Sequence, residues 1–168
     1  MVWARTKLVI QDDLLRPSNV ITLSYKGKNP ERFYREVPKL AAAVFRVRES
    51  EIQEKKFSWS EGDPVKFKVS WEIDKELDGL SYYHILIDLK GESSKGFGKV
   101  SISIEGALRT EYPQDTVWQK SVIYEMLRIV WHKTFYHGKR SEYLEEGRRL
   151  MAIFVEELKK LMGGENGG

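Results

Sequence analysis

One segment of the chain alternates apolar and polar residues without interruption over nine positions, VKFKVSWEI at residues 65–73. Because successive side chains of a β-strand point to opposite faces, this alternation predicts a strand that buries Phe67, Val69 and Trp71 and exposes lysines. A sheet with one apolar and one hydrated face is usually antiparallel. The segment therefore predicts an antiparallel sheet whose inner face is covered by another layer.

Four other segments predict strands of the same kind, joined mostly by short turns such as the one at Asp78-Gly79. They span residues 18–27, 50–60, 81–90 and 99–109. The first of them places Ile21, Leu23 and Tyr25 on one side. The other three form a meander with residues 65–73, one before it and two after it.

The segment after the first strand predicts a helix at residues 29–45. Asn29 suits the N-cap position and Pro30 the first helical position. Pro38 removes one backbone hydrogen bond inside this segment, which predicts either a kink or two short helices.

The last part of the chain predicts two helices. A very apolar helix at residues 113–137 should begin at a cap formed by Asp115 or Thr116, and Gly138 allows a break before an amphipathic helix at residues 141–162. The apolar helix carries one narrow polar stripe, which consists of Ser121, Glu125, Arg128 and His132. A helix this apolar must be covered by the sheet or by a partner.

The order of these elements resembles that of the helix-grip superfamily of START and birch-pollen-allergen-like proteins, and more broadly the fold of the TATA-box-binding protein repeat, over residues 19–137. The resemblance implies an α+β fold of order β-α-β-β-β-β-α-α, in which an antiparallel meander sheet grips long C-terminal helices. We expect one such domain at residues 1–162, followed by a disordered tail at residues 163–168. The apolar stretch after Asp115 is then expected to lie in the concave face of the sheet.

Members of this superfamily often hold an apolar small molecule, such as a lipid or a sterol, between the sheet and the C-terminal helix. This chain differs from them because it lacks an extra pair of strands and adds the helix at residues 141–162. We expect that helix to be a lid, an oligomer contact or the far half of one bent helix.

Apolar residues on the predicted inner faces form a candidate ligand-binding set. The set is Tyr25, Trp59, Phe67, Trp71, Tyr83, Trp118 and Met126. Side chains of this kind either line an apolar pocket, in which a few polar tips orient the ligand, or fill a core.

The segment KGFGKVSI at residues 95–102 resembles the aromatic strand signature of the RNA-recognition motif. However, Lys99 and Ile102 stand at positions where the signature has aromatic residues, and the order of strands differs. The segment instead predicts a hairpin turn with Phe97 near its tip.

No catalytic, metal or cofactor site is predicted. The chain has no cysteine, and it contains no Walker loop, nucleophile elbow or His-Glu-x-x-His motif. His132 and His137 are five residues apart and point in different directions on a helix. Together with Lys133, Lys139 and Arg140 they could instead form an anion site. We therefore expect a protein without catalytic activity.

Charged residues make up 32% of the chain, and the net charge is +3. A charged fraction this high is typical of heat-resistant proteins and predicts a thermophilic, archaeal source. A net charge this small makes nucleic acid an unlikely partner, although the outer sheet face carries cations. These are Lys26, Lys56, Lys66, Lys68, Lys99 and Arg109. Without an apolar run long enough to span a membrane or a signal peptide, the protein is expected to be cytoplasmic.

Three functions follow from these patterns. The first is binding of a hydrophobic small molecule between the sheet and the C-terminal helix, and the second is a homodimer or protein contact through the C-terminal helices. The third is weak, salt-sensitive binding of nucleic acid by the lysine-bearing sheet face. A void of a few hundred Å³ favours the first, whereas a packed core with a large exposed apolar stripe favours the second.

Overall fold

The computed structural model describes residues 7–113 and 122–163. Trp118 and the predicted caps at Asp115 and Thr116 lie outside these residues, as does the predicted tail after Gly163. The strands are β1 (Lys7–Asp13), β2 (Val20–Lys28), β3 (Ile52–Trp59), β4 (Val65–Glu76), β5 (Ser81–Ser94) and β6 (Phe97–Pro113). The helices are α1 (Phe33–Phe45), α2 (Val122–Trp131) and α3 (His137–Gly163).

The strands form one antiparallel sheet in the order β1-β6-β5-β4-β3, and β2 also pairs with β6. β6 pairs with β2 through residues 97–105 and with β1 through residues 107–113, so both early strands lie along the same edge of β6. The predicted fold class is confirmed, since an antiparallel meander carries a long C-terminal helix. β1 was not predicted, because its apolar run is only three residues long.

Alternation along the strands decides which side chains form the core. Every second residue of β4, β5 and β6 points to the helices, and most of these side chains are fully buried. The residues include Val69, Ile73, Ile85, Ile87, Leu89, Ile102, Ile104 and Leu108. Burial of this continuous apolar face is the main force that holds the helices on the sheet.

α1 and α3 cover the inner face of the sheet. α1 buries a residue at every fourth position, and α3 buries its apolar side in the same way. The two helices meet at Phe45 and Phe154, whose ring centroids are 5.1 Å apart. α1 continues through Pro38 as one helix, so the alternative of two short helices is wrong. The sheet with a C-terminal helix on its inner face is compatible with a helix-grip architecture.

The C-terminal helix does not break at Gly138. A five-residue π-helical turn, His132–Tyr136, joins α2 directly to α3. The predicted break is therefore wrong, and the segment after Ser141 is the far half of a longer helix, which was the third alternative. It is this half that the sheet grips, because α3 contains the buried residues Met151, Phe154 and Leu158.

The hairpin between β5 and β6 confirms the turn predicted at residues 95–102. Lys95 and Gly96 have φ of 52° and 76°, which two-residue hairpin turns of the primed types require. Phe97 begins β6 and is 51% exposed. It lies at the tip of the hairpin, away from the middle of either sheet face.

Candidate functional site

An extended apolar surface covers one side of α2. Seven large side chains there are between 54% and 74% exposed. They are Val122, Ile123, Met126, Leu127, Ile129, Val130 and Trp131. At ~100° per residue they occupy about 200° of the helix circumference. The expectation that the apolar stretch after Asp115 lies in the concave face of the sheet is wrong for residues 122–131, and Met126 does not face the strands.

The polar side of α2 is attached to the sheet. The Arg128 guanidinium lies 5.6 Å from the centroid of the Tyr112 ring in β6, and the Tyr112 hydroxyl is 2.7 Å from His132 Nδ1. Arg128 also forms an ion pair with Glu125. Glu125, Arg128 and His132 belong to the predicted polar stripe. Their contacts hold the helix with its apolar side turned away from the domain.

The π-helical turn keeps one row of side chains on the end of the sheet. Residues four apart drift by ~40° per step around an α-helix, and the wider π-turn reverses this drift. Four residues at this spacing contact strands or the turn between them. They are Arg128, His132, Tyr136 and Arg140.

Tyr136 anchors the junction of α2 and α3 to the turn between β4 and β5. Its hydroxyl is 2.7 Å from Ser81 Oγ and donates to Asp78 Oδ2 at 3.0 Å. Burial raises the pKa of Tyr136 to about 12, so the donating proton stays in place. Burial would raise the pKa of Asp78, but hydrogen bonds from the backbone N–H groups of Leu80 and Ser81 outweigh it and hold that pKa below its usual range.

Arg140 anchors the same junction to β1 and β6. It is 5% exposed, donates to Thr110 Oγ1, and lies 2.8 Å from Asp12 Oδ2. His132 is similarly turned inward towards Tyr112. Of the five residues considered for an anion site, His132 and Arg140 are thus engaged within the junction, whereas Lys133, His137 and Lys139 are exposed.

Four residues of the predicted ligand-binding set lie in the core. Tyr25, Phe67, Trp71 and Tyr83 are at most 7% exposed. The Tyr83 hydroxyl donates to the backbone carbonyl of Tyr143 at 2.5 Å, and the Tyr25 hydroxyl also donates to a backbone carbonyl. Because buried hydroxyls need partners and these have them within the chain, the placement favours the alternative that the four residues fill a core.

A groove of about 500 Å³ lies beside the C-terminal helix. The connection between β1 and β2 contributes Leu14 and Leu15, and α3 contributes Met151 and Val155. No residue of the predicted ligand-binding set is among its lining residues in the described part of the chain.

Exposed aromatic rings lie at the other edge of the sheet, between α1 and β3. The ring centroid of Tyr34 is 5.7 Å from that of Phe57, 5.9 Å from that of Trp59 and 6.0 Å from that of Trp71. Phe57 is 54% exposed and Trp59 36% exposed. β3 is an edge strand, and its inner face extends beyond the cover that α1 provides.

The rings of Tyr34, Phe57 and Trp59 form one wall of a cleft of about 770 Å³, which we call the ring cleft. Its lining carries three cationic residues, Arg32, Arg35 and Lys39, and two carboxylates, Glu31 and Glu36. Trp59 stacks on Phe67 at 5.0 Å, so the structure brings together three members of the predicted set, with Trp71 as the third. The sequence could not include Tyr34, because its position depends on how α1 crosses β3.

Three potential metal ligands meet on the outer face of the sheet, where none was predicted. The ligand atoms of Glu72, Asp74 and His84 lie within 4.8 Å of one another. His84 Nδ1 is 2.6 Å from Asp74 Oδ1, and Lys55 Nζ is 3.5 Å from Glu72 Oε2. These ion pairs already balance the charge of the cluster. A metal cation would therefore have to displace the Lys55 ammonium group.

Among the residues described, no helix combines the length and the apolar character needed to cross a membrane.

No family model matches the sequence, and no curated protein matches it. Among solved structures, one match is the crystal structure of Ara h 8.0201, a Bet v 1-like helix-grip protein. It is 11% identical, the match covers 79% of this chain and 99% of that chain, and the TM-score is 0.16. A TM-score this low does not establish a shared fold.

Proposed function

We propose that this protein is a homo-oligomeric module in which the apolar side of α2 pairs with the same surface of a second copy. The observation that carries the proposal is the presence of seven large apolar side chains, each more than half exposed, on one side of one helix. Such side chains present on the order of 700 Å², more than the ~300–600 Å² of the largest patch on a typical monomer. This area approaches the ~800 Å² that each partner buries in a standard interface.

The arrangement of the surface suits pairing with itself. Ile123, Met126 and Val130 lie along its middle, at the three- and four-residue spacing with which helices pack side by side. The seven exposed residues include no charged side chain, so two copies can meet without burying an unpaired charge. In a two-fold pair the helices would cross near Met126, which lies at the centre of α2.

The charges of α2 favour a protein partner over a lipid surface. Helices that lie on membranes present lysine and arginine beside their apolar side, where they contact anionic head groups. Arg128 is instead turned towards the sheet, where it pairs with Glu125 and lies over the Tyr112 ring. These contacts also hold α2 in one orientation, which lowers the entropy lost on pairing.

Sedimentation equilibrium at micromolar concentrations tests the proposal. We expect a mass twice the 19.6 kDa of one chain. The double substitution Met126→Glu and Val130→Glu should give monomers, because it puts two charges into the paired surface. Ile153→Glu is the matched control, since Ile153 is 41% exposed on α3, and it should leave the dimer intact. A monomeric wild-type chain, or a dimer that survives the double substitution, contradicts the proposal.

A second candidate function is the binding of a small, flat, apolar molecule with a negative group in the ring cleft. Phe57 and Trp59 are 54% and 36% exposed, and the charged residues of the lining, three cations and two carboxylates, leave the cleft with one net positive charge. Flat rings stack at centroid separations of about 4.5–7 Å, and cations hold the anionic group. This candidate keeps the ligand binding implied by the helix-grip resemblance, but it moves the site to the free edge of the sheet.

Fluorescence of anilinonaphthalene sulfonate, an aromatic anion, tests this second candidate. Trp59→Ala should weaken binding of the probe about two- to tenfold, since stacking contributes roughly 0.5–1.5 kcal/mol beyond buried area. The Met126→Glu and Val130→Glu variant serves as the control, because the probe also binds exposed apolar surfaces. If only the α2 variant loses the signal, the ring cleft is not the binding site.

A further inference from the structure

The outer face of the sheet, opposite α1 and α3, carries two rows of side chains that run across β2, β6, β5 and β4. One row is Lys26, Lys99, Glu92 and Lys66, and the other is Ser24, Ser101, Lys90 and Lys68. Between the rows the backbone of four strands forms the floor of a trough of about 600 Å³. We call this feature the lysine trough.

The lysine trough concentrates the positive charge of the chain. Five lysines and one glutamate line it, an excess of four positive charges, whereas the whole chain has a net charge of only +3. Glu92 pairs with Lys99 at 3.0 Å. In residues 7–113 and 122–163 the structure gives the other four lysines no ion pair. The trough is therefore strongly positive on a molecule that is otherwise nearly neutral.

The positions of these lysines are unfavourable for the stability of the sheet. Lys26 stands directly opposite Lys99, and Lys68 directly opposite Lys90. Like charges at directly opposite positions destabilise a sheet. At the other end of the same face Lys55 instead pairs with Glu72 at 3.5 Å. In the trough Glu92 stands directly opposite Lys99 and Lys66 and offsets one row. No carboxylate of the described strands stands opposite Lys68 or Lys90, so the uncompensated pair in the second row points to an anionic ligand.

Glu92 is the carboxylate in the trough, and two other carboxylates of the same face, Asp88 and Glu72, lie outside it. Asp88 lies one row further along the strands, where it bonds the Ser70 hydroxyl. Glu72 lies two rows further along, and Lys90, which was absent from the predicted cationic set, completes the cluster. Cross-strand register creates this arrangement, and the register is not visible in the sequence.

We propose that the lysine trough binds the phosphate backbone of a single-stranded nucleic acid. The rows are two residues apart along each strand, so the trough is about 7 Å wide, and four strands make it roughly 15–20 Å long. One backbone fits between the rows, with lysines on both sides and the hydroxyls of Ser24 and Ser101 available as donors. A duplex is too wide to enter. This length accommodates about four phosphates.

Binding of this kind is independent of base sequence. Phosphate contacts carry no sequence information, and bases are held without it when they stack on aromatic rings. No aromatic side chain points into the trough from its two rows. Tyr82, on the same face, lies outside it and hydrogen-bonds Glu111 at 2.7 Å. The affinity therefore depends on lysine charge and on salt.

Fluorescence anisotropy with a labelled oligo(dT), and with a duplex of equal length, tests the proposal. With four phosphates contacted, the affinity for oligo(dT) should fall about 50-fold between 50 and 200 mM salt, from a log–log slope of about −2.8. Lys68→Ala with Lys90→Ala should make the slope shallower by about 1.4. The melting temperature should not fall, because the substitution removes a like-charged pair.

Lys159→Ala with Lys160→Ala is the control, because it removes the same charge from exposed positions of α3 that belong to neither the trough nor the ring cleft. It should leave the salt slope unchanged. Equal losses in both double variants, tighter binding of the duplex, or no salt-dependent binding at all would overturn the proposal. Binding to phosphatidylserine vesicles without binding to oligo(dT) would overturn it too, in favour of a membrane surface.

Discussion

At the scale of single residues, two glycines in α3 have opposite surroundings. A Cβ at Gly147 would lie 2.7 Å from Leu14 Cδ2 and 2.8 Å from Tyr83 Cε1. Tyr83 is fully buried, so its ring has little room to move away. A Cβ at Gly138 meets nothing within 4 Å. The close approach of α3 to the sheet therefore depends on Gly147 and not on Gly138.

Replacing each glycine by alanine should change stability in opposite directions. Gly147→Ala is expected to lower the free energy of unfolding by roughly 1–3 kcal/mol through overpacking. Gly138→Ala is expected to raise it by about 0.5–1 kcal/mol, because alanine is the better residue in an exposed helix. Urea denaturation of both variants measures the difference. A Gly147→Ala protein as stable as Gly138→Ala would mean that α3 lies farther from Tyr83.

His132 makes the attachment of α2 sensitive to acid. Burial lowers the pKa of His132, and the positive charges of Arg140, His137 and Arg128 lower it further. In the unfolded chain the pKa of a histidine is about 6.5. Below that pH the unfolded chain binds a proton that the folded junction does not yet bind, so stability falls as the pH decreases from about 6.5 towards the folded pKa.

We therefore expect the wild-type melting temperature to fall between about pH 7.5 and 5.5, and His132→Gln to reduce that fall. Glutamine keeps a hydrogen-bonding group near Tyr112 but does not titrate. His137→Gln is the comparison: it removes only one of the three positive charges that lower the pKa of His132 and leaves the burial of that ring unchanged, so most of the pH dependence should remain. Identical pH profiles for the wild type and His132→Gln would contradict this account of the junction.

At the scale of elements, the strands could be predicted and the orientation of α2 could not. Alternation fixes which side of β4 faces inward, because one face must leave water. The apolar sequence of residues 122–131 indicates only that the helix is covered, either by the sheet or by a partner. What decides its orientation is a set of contacts between distant residues, above all Arg128 and His132 with Tyr112. The π-helical turn that aligns them gives no signal in the sequence.

The candidate sites, too, could be predicted from the sequence only in part. The alternating pattern identified Trp59, Phe67 and Trp71, but it could not separate rings that fill the core from rings at the exposed edge of β3. The lysine trough depends on pairs such as Lys68 with Lys90, which the cross-strand register creates.

The thermophilic, archaeal source and the cytoplasmic location stay predictions.

Arg140 should be the residue on which the junction of α2 and α3 depends most. Arg140→Ala removes its bonds to Thr110 and Asp12 and leaves a buried hydroxyl without this donor. We expect a loss of roughly 2–3 kcal/mol, since hydrogen bonds to charged groups carry about that much. Hydrogen exchange in residues 122–140 should accelerate more than in the strands.

Lys139→Ala is the neighbouring control. Lys139 is half exposed and lies 3.5 Å from Asp78 Oδ2, and because water screens an exposed ion pair, Lys139→Ala should lower stability much less than Arg140→Ala. If both substitutions had equal effects on stability and exchange, the buried contacts of Arg140 would not be what holds the junction.

At the scale of the whole molecule, the three proposed surfaces are separate. The apolar side of α2 projects from one end of the sheet, the ring cleft lies at its free β3 edge, and the lysine trough lies on its outer face. Substitutions in surfaces that share no residues should act independently. Lys68→Ala with Lys90→Ala should therefore leave the oligomeric state unchanged, as measured by sedimentation, whereas linked effects would show that pairing rearranges the sheet.

Cross-linking through an introduced cysteine tests the central claim most directly, because the chain has no cysteine of its own. Met126→Cys places a single thiol at the centre of α2, where a two-fold pair brings both copies together. Under mild oxidation this variant should form a covalent dimer rapidly, while Ile153→Cys on α3 should remain mostly monomeric. Equal rates for the two variants, or no covalent dimer of Met126→Cys, would contradict pairing through α2.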